Sequence, residues 1–167
     1  MRPRLPEALR TPSGRVELCP DRITDDLPRL ESSLAAEPPD LVLVGRRQLR
    51  SNNSWMHNLP HLVRGPDRCT LQVHPSDAER LGLTEGGTAS VSSRAGELRA
   101  PVEITDAVMA GVVSIPHGWG HDAAGAQLSV AAEHAGVNSN LLADESLLDP
   151  VSGNAVLNGI PVDVASA

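Results

Sequence analysis

The sequence predicts a small, mainly β domain whose sheet closes into a barrel, preceded by a connector. Three observations carry that expectation. Apolar and polar residues alternate along two consecutive arms, Ala89 and Val91 with Ser90 and Ser92, then Leu98, Ala100, Val102 and Ile104 with Arg99, Pro101 and Glu103. A period of two buries one face of a β-hairpin. The other apolar runs are short and bounded by turn residues, and strands that short leave exposed edges unless the sheet closes on itself. Phe and Tyr are absent and Trp occurs twice, so the core has to be aliphatic.

At 167 residues the chain holds one domain with an extension rather than two domains. Residues 1–40 read as the connector. TPSGRVEL gives a turn and a short extended piece, and Leu27, Leu30 and Leu34 mark one face of a short helix that Pro38-Pro39 stops. A connector without a core of its own is expected at the tail of a longer protein. The domain proper is residues 41–167. Its first strand is Leu41–Val44, stopped by Gly45, and its second is Thr70–Val73. HPSDAERLGL then predicts a helix entered at His74, with Pro75 in the first position, Asp77 and Glu79 in the first turn and Gly82 as a left-handed cap. Arg94-Ala95-Gly96 reverses the hairpin, and Pro101 in its second arm implies an edge or a bulge. Val112–Ile115 and Ile160–Val164 complete the strands.

Composition removes several function classes. A net charge of −7 and a pI near 5.3 have the wrong sign for wrapping a phosphate backbone, so no nucleic-acid partner is expected. Lysine is absent, which excludes a P-loop lysine, a Schiff base and a lysine general base. Cys19 and Cys69 are far apart and suggest neither a disulfide framework nor a zinc knuckle. The first residues lack the apolar core of a signal peptide and no apolar run reaches membrane-spanning length. The expected location is the cytoplasm, without membrane insertion. G-x-S-x-G, H-E-x-x-H and a post-strand G-x-G-x-x-G are all missing, so no nucleophile with its base is assigned.

Two stretches depart from core-building patterns. GRRQLRSNNSWMHN, Gly45 to Asn58, packs three arginines, three asparagines, a tryptophan and a histidine into fourteen positions. With Arg64 and Arg68 it forms a positive island in an acidic chain, which suits a small anionic ligand; the alternative is a solvated loop whose arginines pair with carboxylates elsewhere. Between Ile115 and Ile160 runs a long polar region that begins PHGWGH, and long loops in compact domains are usually functional or disordered. Gly118 and Gly120 let the backbone approach a ligand and leave Trp119 to stack or wedge. His117 and His121 lie four apart, but the glycines oppose the helix that would bring both to a metal, and no metal site is expected. Asn138 and Asn140 offer amides to a heterocycle edge, or an Asx-turn.

These segments, in order, resemble a known family. GRRQLRSNNSWMHN, HPSDAERLGLTEGGTASVSS, the G-x-L-x-A-P-V-x-I-T-D hairpin, GVVSIPHGWGH, VNSNLL and DPVSGNAVLNGIPV are similar to the C-terminal molybdopterin-dinucleotide-binding domain of the dimethyl sulfoxide reductase superfamily, especially its formate-dehydrogenase-like members. The resemblance covers Leu41 to Val164. It implies a six-stranded double-psi β-barrel of the aspartate-decarboxylase-like class, forming one wall of the site for bis(molybdopterin guanine dinucleotide) with molybdenum or tungsten. By position, Gly45, Arg46, Arg47, Asn53, Ser54, Trp55, Met56 and His57 would contact the cofactor from the first loop. His117, Gly118, Trp119, Gly120 and His121 would do so from the second, and Asn138 and Asn140 would complete the set. The family's metal ligand lies in an earlier domain, so this chain alone is expected to have no catalytic residues and no turnover. The implied partners are the remaining domains of a parent oxidoreductase and electron-transfer subunits. The competing reading is a free-standing double-psi-barrel adaptor for other proteins.

Overall fold

Two compact units are distinguished in the computed structural model, which describes residues 3–5 and 7–167; residues 1, 2 and 6 of the expected connector lie outside the described residues. One unit comprises the chain up to Pro38 together with Pro150–Gly153, and the other Pro39–Asp149 with Asn154–Ala167. In the first, the expected turn forms at Thr11–Gly14, where Gly14 adopts φ 65°. Two helices follow, α1 (Asp21–Thr24) and α2 (Leu27–Ala35). Pro28 occupies the start of α2, where its missing N–H costs no hydrogen bond. Leu27, Leu30 and Leu34 lie on this helix as anticipated, but all three are exposed. The extended piece after the turn is not part of a sheet.

The second unit contains one curled sheet. Its strands are β1 (Val42–Arg46), β2 (Leu71–Val73), β3 (Thr88–Ser92), β4 (Glu97–Ile104), β5 (Val112–Pro116), β6 (Ile160–Pro161) and β7 (Asp163–Ser166), in the order β6-β1-β5-β2-β4-β3-β7. The expected six strands become seven because the C-terminal arm breaks at Val162. Its first half pairs with β1 and its second with β3. The two edges of the sheet are therefore consecutive halves of one arm, and the sheet closes through it. Inside lie Leu41, Leu43, Leu71, Val73, Val91, Val102, Val113, Ile115, Leu142 and Val164, an aliphatic core as the composition requires.

Local chemistry explains the elements. Helix α3 (Pro75–Leu81) begins at His74, whose ring accepts the Ser76 N–H, and ends at Gly82 with φ 65°. Asp77 does more than complement the helix dipole. It is buried, takes the Gly111 N–H at 2.8 Å and so anchors the entry to β5. The hairpin reverses at Ser93–Gly96, closed by Ser93 N–H to Gly96 O at 2.8 Å. Pro101 requires a correction: β4 is an interior strand, not an edge. Residues Glu97–Pro101 pair with β3 and Val102–Ile104 pair with β2, so Pro101 stands where the strand changes partners and the β3 ladder ends. Likewise β1 does not stop at Gly45; it continues to Arg46 because the parallel ladder with β5 runs on through Gly45 to Ile115 and Arg46 to Pro116.

Candidate ligand-binding site

That parallel ladder is what gathers the site. Because β1 and β5 run the same way in register, the chain leaves both at the same end, the first loop after Arg46 and the second after Pro116. The loops are then pinned by two glycines. A Cβ on Gly118, at φ 90°, would fall 2.5 Å from Asn53 O, and a Cβ on Gly120, at φ 99°, 2.6 Å from Asn138 Cβ. Only glycine permits either approach. The close partners of these Cβ positions are thus the first loop and the Asn138 loop of the protein itself.

Behind this seam lies a buried aromatic cluster. His57 is 2% exposed and stacks on Trp119 with ring centroids 3.9 Å apart. Its Nδ1 is 2.7 Å from His121 Nε2, so the two rings share one hydrogen between them. Burial holds both imidazoles below their ordinary pKa; His121 pushes His57 the same way, while Asp122 acts against the shift on His121. The cluster is neutral at pH 7 and clasps the first loop to the second. Asn58 extends the seam, its Oδ1 accepting the Val130 and Ala131 N–H groups at the start of α4 (Ser129–Ala132).

In front of the seam is a cavity of about 400 Å³. Leu43, Ile115, Ala143, Leu157 and Ile160 make its apolar floor, and Gly45, Arg47, His117, Gly118, Ser139, Asn140 and Asn158 its polar rim. Among the described residues no carboxylate lines it. Arg47 Nη1 donates to Asn53 Oδ1 at 2.6 Å, and His117 Nε2 approaches the same oxygen at 2.8 Å. A guanidinium can only donate, so that atom is the amide oxygen and His117 carries its hydrogen on Nε2. Asn53 supports this arrangement from a left-handed backbone, φ 62°, following Asn52 at φ 43°.

The anticipated residues divide. Gly45, Arg47, His117, Gly118 and Asn140 meet at the cavity, and Asn53 braces two of them. Ser54 sits beside Gly118 at the seam. His57, Trp119, Gly120 and His121 form the structure behind it. Met56 gives its N–H to Ser51 O and Trp55 is exposed; neither lines the cavity. Asn138 does not line the cavity; its side chain accepts the Asn140 N–H at 3.1 Å, the Asx-turn alternative.

Arg46 also departs from its expected place. Its side chain is 14% exposed, with Nη1 given to Ser114 O at 2.5 Å and Nη2 to Thr70 O and Oγ1 at 2.8 Å each. The Thr70 hydroxyl passes its own hydrogen to Glu103, which Gln72 also contacts. Burial pushes the Glu103 carboxyl up, yet these hydrogen bonds and the Arg46 charge hold it below its usual value. Arg46 is therefore a tie between strands.

Residues the sequence did not single out are Ser139, Leu157 and Asn158. The Asn158-Gly159 pair reads as turn chemistry, and only the fold shows that it borders the cavity. Arg94 in the hairpin turn was equally silent. It grips Asp144, whose carboxyl it holds at about 2, and Ser93 Oγ donates to Leu142 O at 2.9 Å. Together they fix the 3-10 turn Ser139–Leu142 that supplies the third wall.

A profile of the family described as "Molydopterin dinucleotide binding domain" matches residues 41–161. The chain is 35% identical over 123 residues to a subunit of the tetrathionate reductase of Salmonella typhimurium, covering 64% of this chain and 12% of that protein. It is 28% identical over 131 residues to the dimethyl sulfoxide/trimethylamine N-oxide reductase of Rhodobacter capsulatus, covering 68% and 16% respectively. Among solved structures, acetylene hydratase from Pelobacter acetylenicus superposes with a TM-score of 0.63 at 25% identity, over 86% of this chain and 20% of that one. The chain thus spans well under a quarter of the length of each of these relatives.

Proposed function

The chain belongs to the molydopterin dinucleotide binding domain family, and from that premise we propose that the cavity at the end of its sheet holds part of a bis(molybdopterin guanine dinucleotide) cofactor. The observation that carries the reading is the convergence of three loops on a cavity with an apolar floor, a donor-rich rim and, among the described residues, no lining carboxylate. That donor set fits an anionic dinucleotide, whose phosphate oxygens take N–H groups and whose flat rings take apolar surface. Arg47 would supply charge-assisted bonds, with Asn53 fixing its orientation, and Asn140, Ser139 and His117 would meet polar edges. The Leu43, Ile115 and Ile160 floor would keep water from beneath the ligand. When bound, the cofactor supplies two-electron redox chemistry at molybdenum or tungsten.

We assign the fold to the double-psi β-barrel of the aspartate-decarboxylase-like class. The two parallel pairs, β1 with β5 and β2 with β4, joined by the antiparallel β2–β5 pair, support it. Residues 41–167 are the binding domain and residues 1–40 the connector from a preceding domain. The parent is an oxidoreductase whose other domains carry the metal ligand and complete the cofactor's surroundings, with electron-transfer subunits as further partners. The two free cysteines accord with a cytoplasmic location. Among the described residues no helix is long and apolar enough to cross a membrane.

Arg47→Ala in the complete oxidoreductase tests the site. Guanine nucleotide and metal released per chain on denaturation should fall at least about tenfold, the equivalent of one lost charge-assisted bond. Cofactor content equal to that of the unaltered enzyme would sink the assignment of this cavity.

A further inference from the structure

Asn158-Gly159 is the one Asn-Gly step in the sequence. Both residues are exposed, and a Cβ built on Gly159 would meet open space. An asparagine followed by glycine is the least hindered case for attack by the next backbone nitrogen on the asparagine's own amide carbon, because no Cβ obstructs that nitrogen. Strand β1 holds both reacting groups in check. Gly159 N–H donates to Leu43 O at 2.9 Å, so the nitrogen keeps its hydrogen while that bond stands. Asn158 Oδ1 accepts the Gly45 N–H at 2.8 Å, which fixes the orientation of the carboxamide. Leu43 is also the residue that Ile160 faces in the sheet. Parting of the arm from β1 therefore frees the nitrogen and the carboxamide together.

We propose that Asn158-Gly159 is a modification site gated by closure of the sheet, where asparagine converts to aspartate or isoaspartate once the arm detaches from β1. The Gly159 nitrogen gives its proton to a solvent base and bonds to Asn158 Cγ. The Cγ–Nδ2 bond breaks, and Nδ2 takes a proton from water and leaves as ammonia. Water then adds to one carbonyl carbon of the five-membered ring and breaks that carbon's bond to nitrogen. Opening at Cγ gives aspartate, and opening at the main-chain carbonyl gives isoaspartate, whose backbone is longer by a carbon. The longer backbone moves Ile160 out of register with Leu43 and keeps the edge open, so the conversion is a one-way record that the arm has parted. Either product sets a carboxylate on a cavity rim that has none among the described residues. The chemistry does not depend on what the cavity binds.

The 167-residue chain is held in mildly alkaline buffer with and without urea. Conversion at each asparagine is followed by peptide mapping with mass detection and by isoaspartate-specific methylation. Asn158 should convert at least about tenfold faster in urea than in the folded chain. Below the unfolding transition its rate should rise in step with hydrogen exchange of the Gly159 amide. Ile160→Ala trims a buried side chain of the arm, leaves the reacting pair intact and should raise the rate in buffer without urea; if that variant does not fold, it should convert at the urea rate. Equal rates for the unaltered chain folded and unfolded would overturn the gating, and an Asn158 that stays unconverted in urea would overturn the site itself.

Discussion

Arg46 and Arg47 are adjacent and chemically identical, yet they do different work. Successive residues of extended backbone point in opposite directions, so one guanidinium enters the fold and the other reaches the cavity. The sequence shows a positive island, but the two roles become distinguishable only once β1 is known to run to Arg46. Arg46→Ala should therefore act on stability, not on ligand contact. It strips hydrogen bonds from the Ser114 and Thr70 carbonyls and leaves Glu103 short of a cation, a loss on the order of 3 kcal/mol in denaturant unfolding. The buried imidazole pair makes a second prediction. His57 and His121 are held neutral below the ordinary value of 6.5, whereas in the unfolded chain both take up protons as pH falls past that value. The unfolded state then binds more protons, so stability drops as pH falls below 6.5. Melting temperature should decline as the medium is acidified from neutrality through that value, and a His57→Gln, His121→Gln double variant should flatten the slope.

At the scale of elements, strands and loops differed in how openly the sequence declared them. The β3–β4 hairpin was legible from its alternation, and α3 from its cap residues, because both depend on neighbours in sequence. Pro101 left an edge and a bulge open, and only the edge is excluded, since an interior strand that changes partners leaves the same mark. The loops were legible as unusual composition, but their internal contacts were not. Gly118 and Gly120 invite the inference of a ligand close by, but nothing in the sequence shows that Asn53 and Asn138 also crowd against them. Gly118→Ala accordingly tests loop against loop. With a backbone oxygen 2.5 Å from the new methyl and a left-handed φ of 90°, the variant should lose about 2–4 kcal/mol. Hydrogen exchange should quicken in the Asn52–His57 segment, whose turn bonds run from Met56 to Ser51 and His57 to Ser54.

For the whole molecule, the sequence conveyed a mainly β domain with a curled sheet, since aliphatic composition and short strands leave few alternatives. It did not convey the closure itself. Ile160–Val164 looks like one ordinary strand, and only pairing shows that it serves both edges, β1 on one side and β3 on the other. Removing residues 160–167 should therefore abolish cooperative thermal unfolding rather than shorten the sheet, as read by circular dichroism across a temperature ramp.

The arm that joins both edges has a consequence in time. β1 leaves the ribosome more than a hundred residues before Ile160 does, which at about 5–20 residues per second is on the order of ten seconds. Until the arm emerges, β1, and β3 once it has followed, each expose an unpaired backbone edge to neighbouring nascent chains. Asn158 and Ile160 arrive with the same late segment, so the cavity acquires its last wall only as the sheet closes. A nascent chain therefore cannot capture its ligand before its strands are safe from their neighbours.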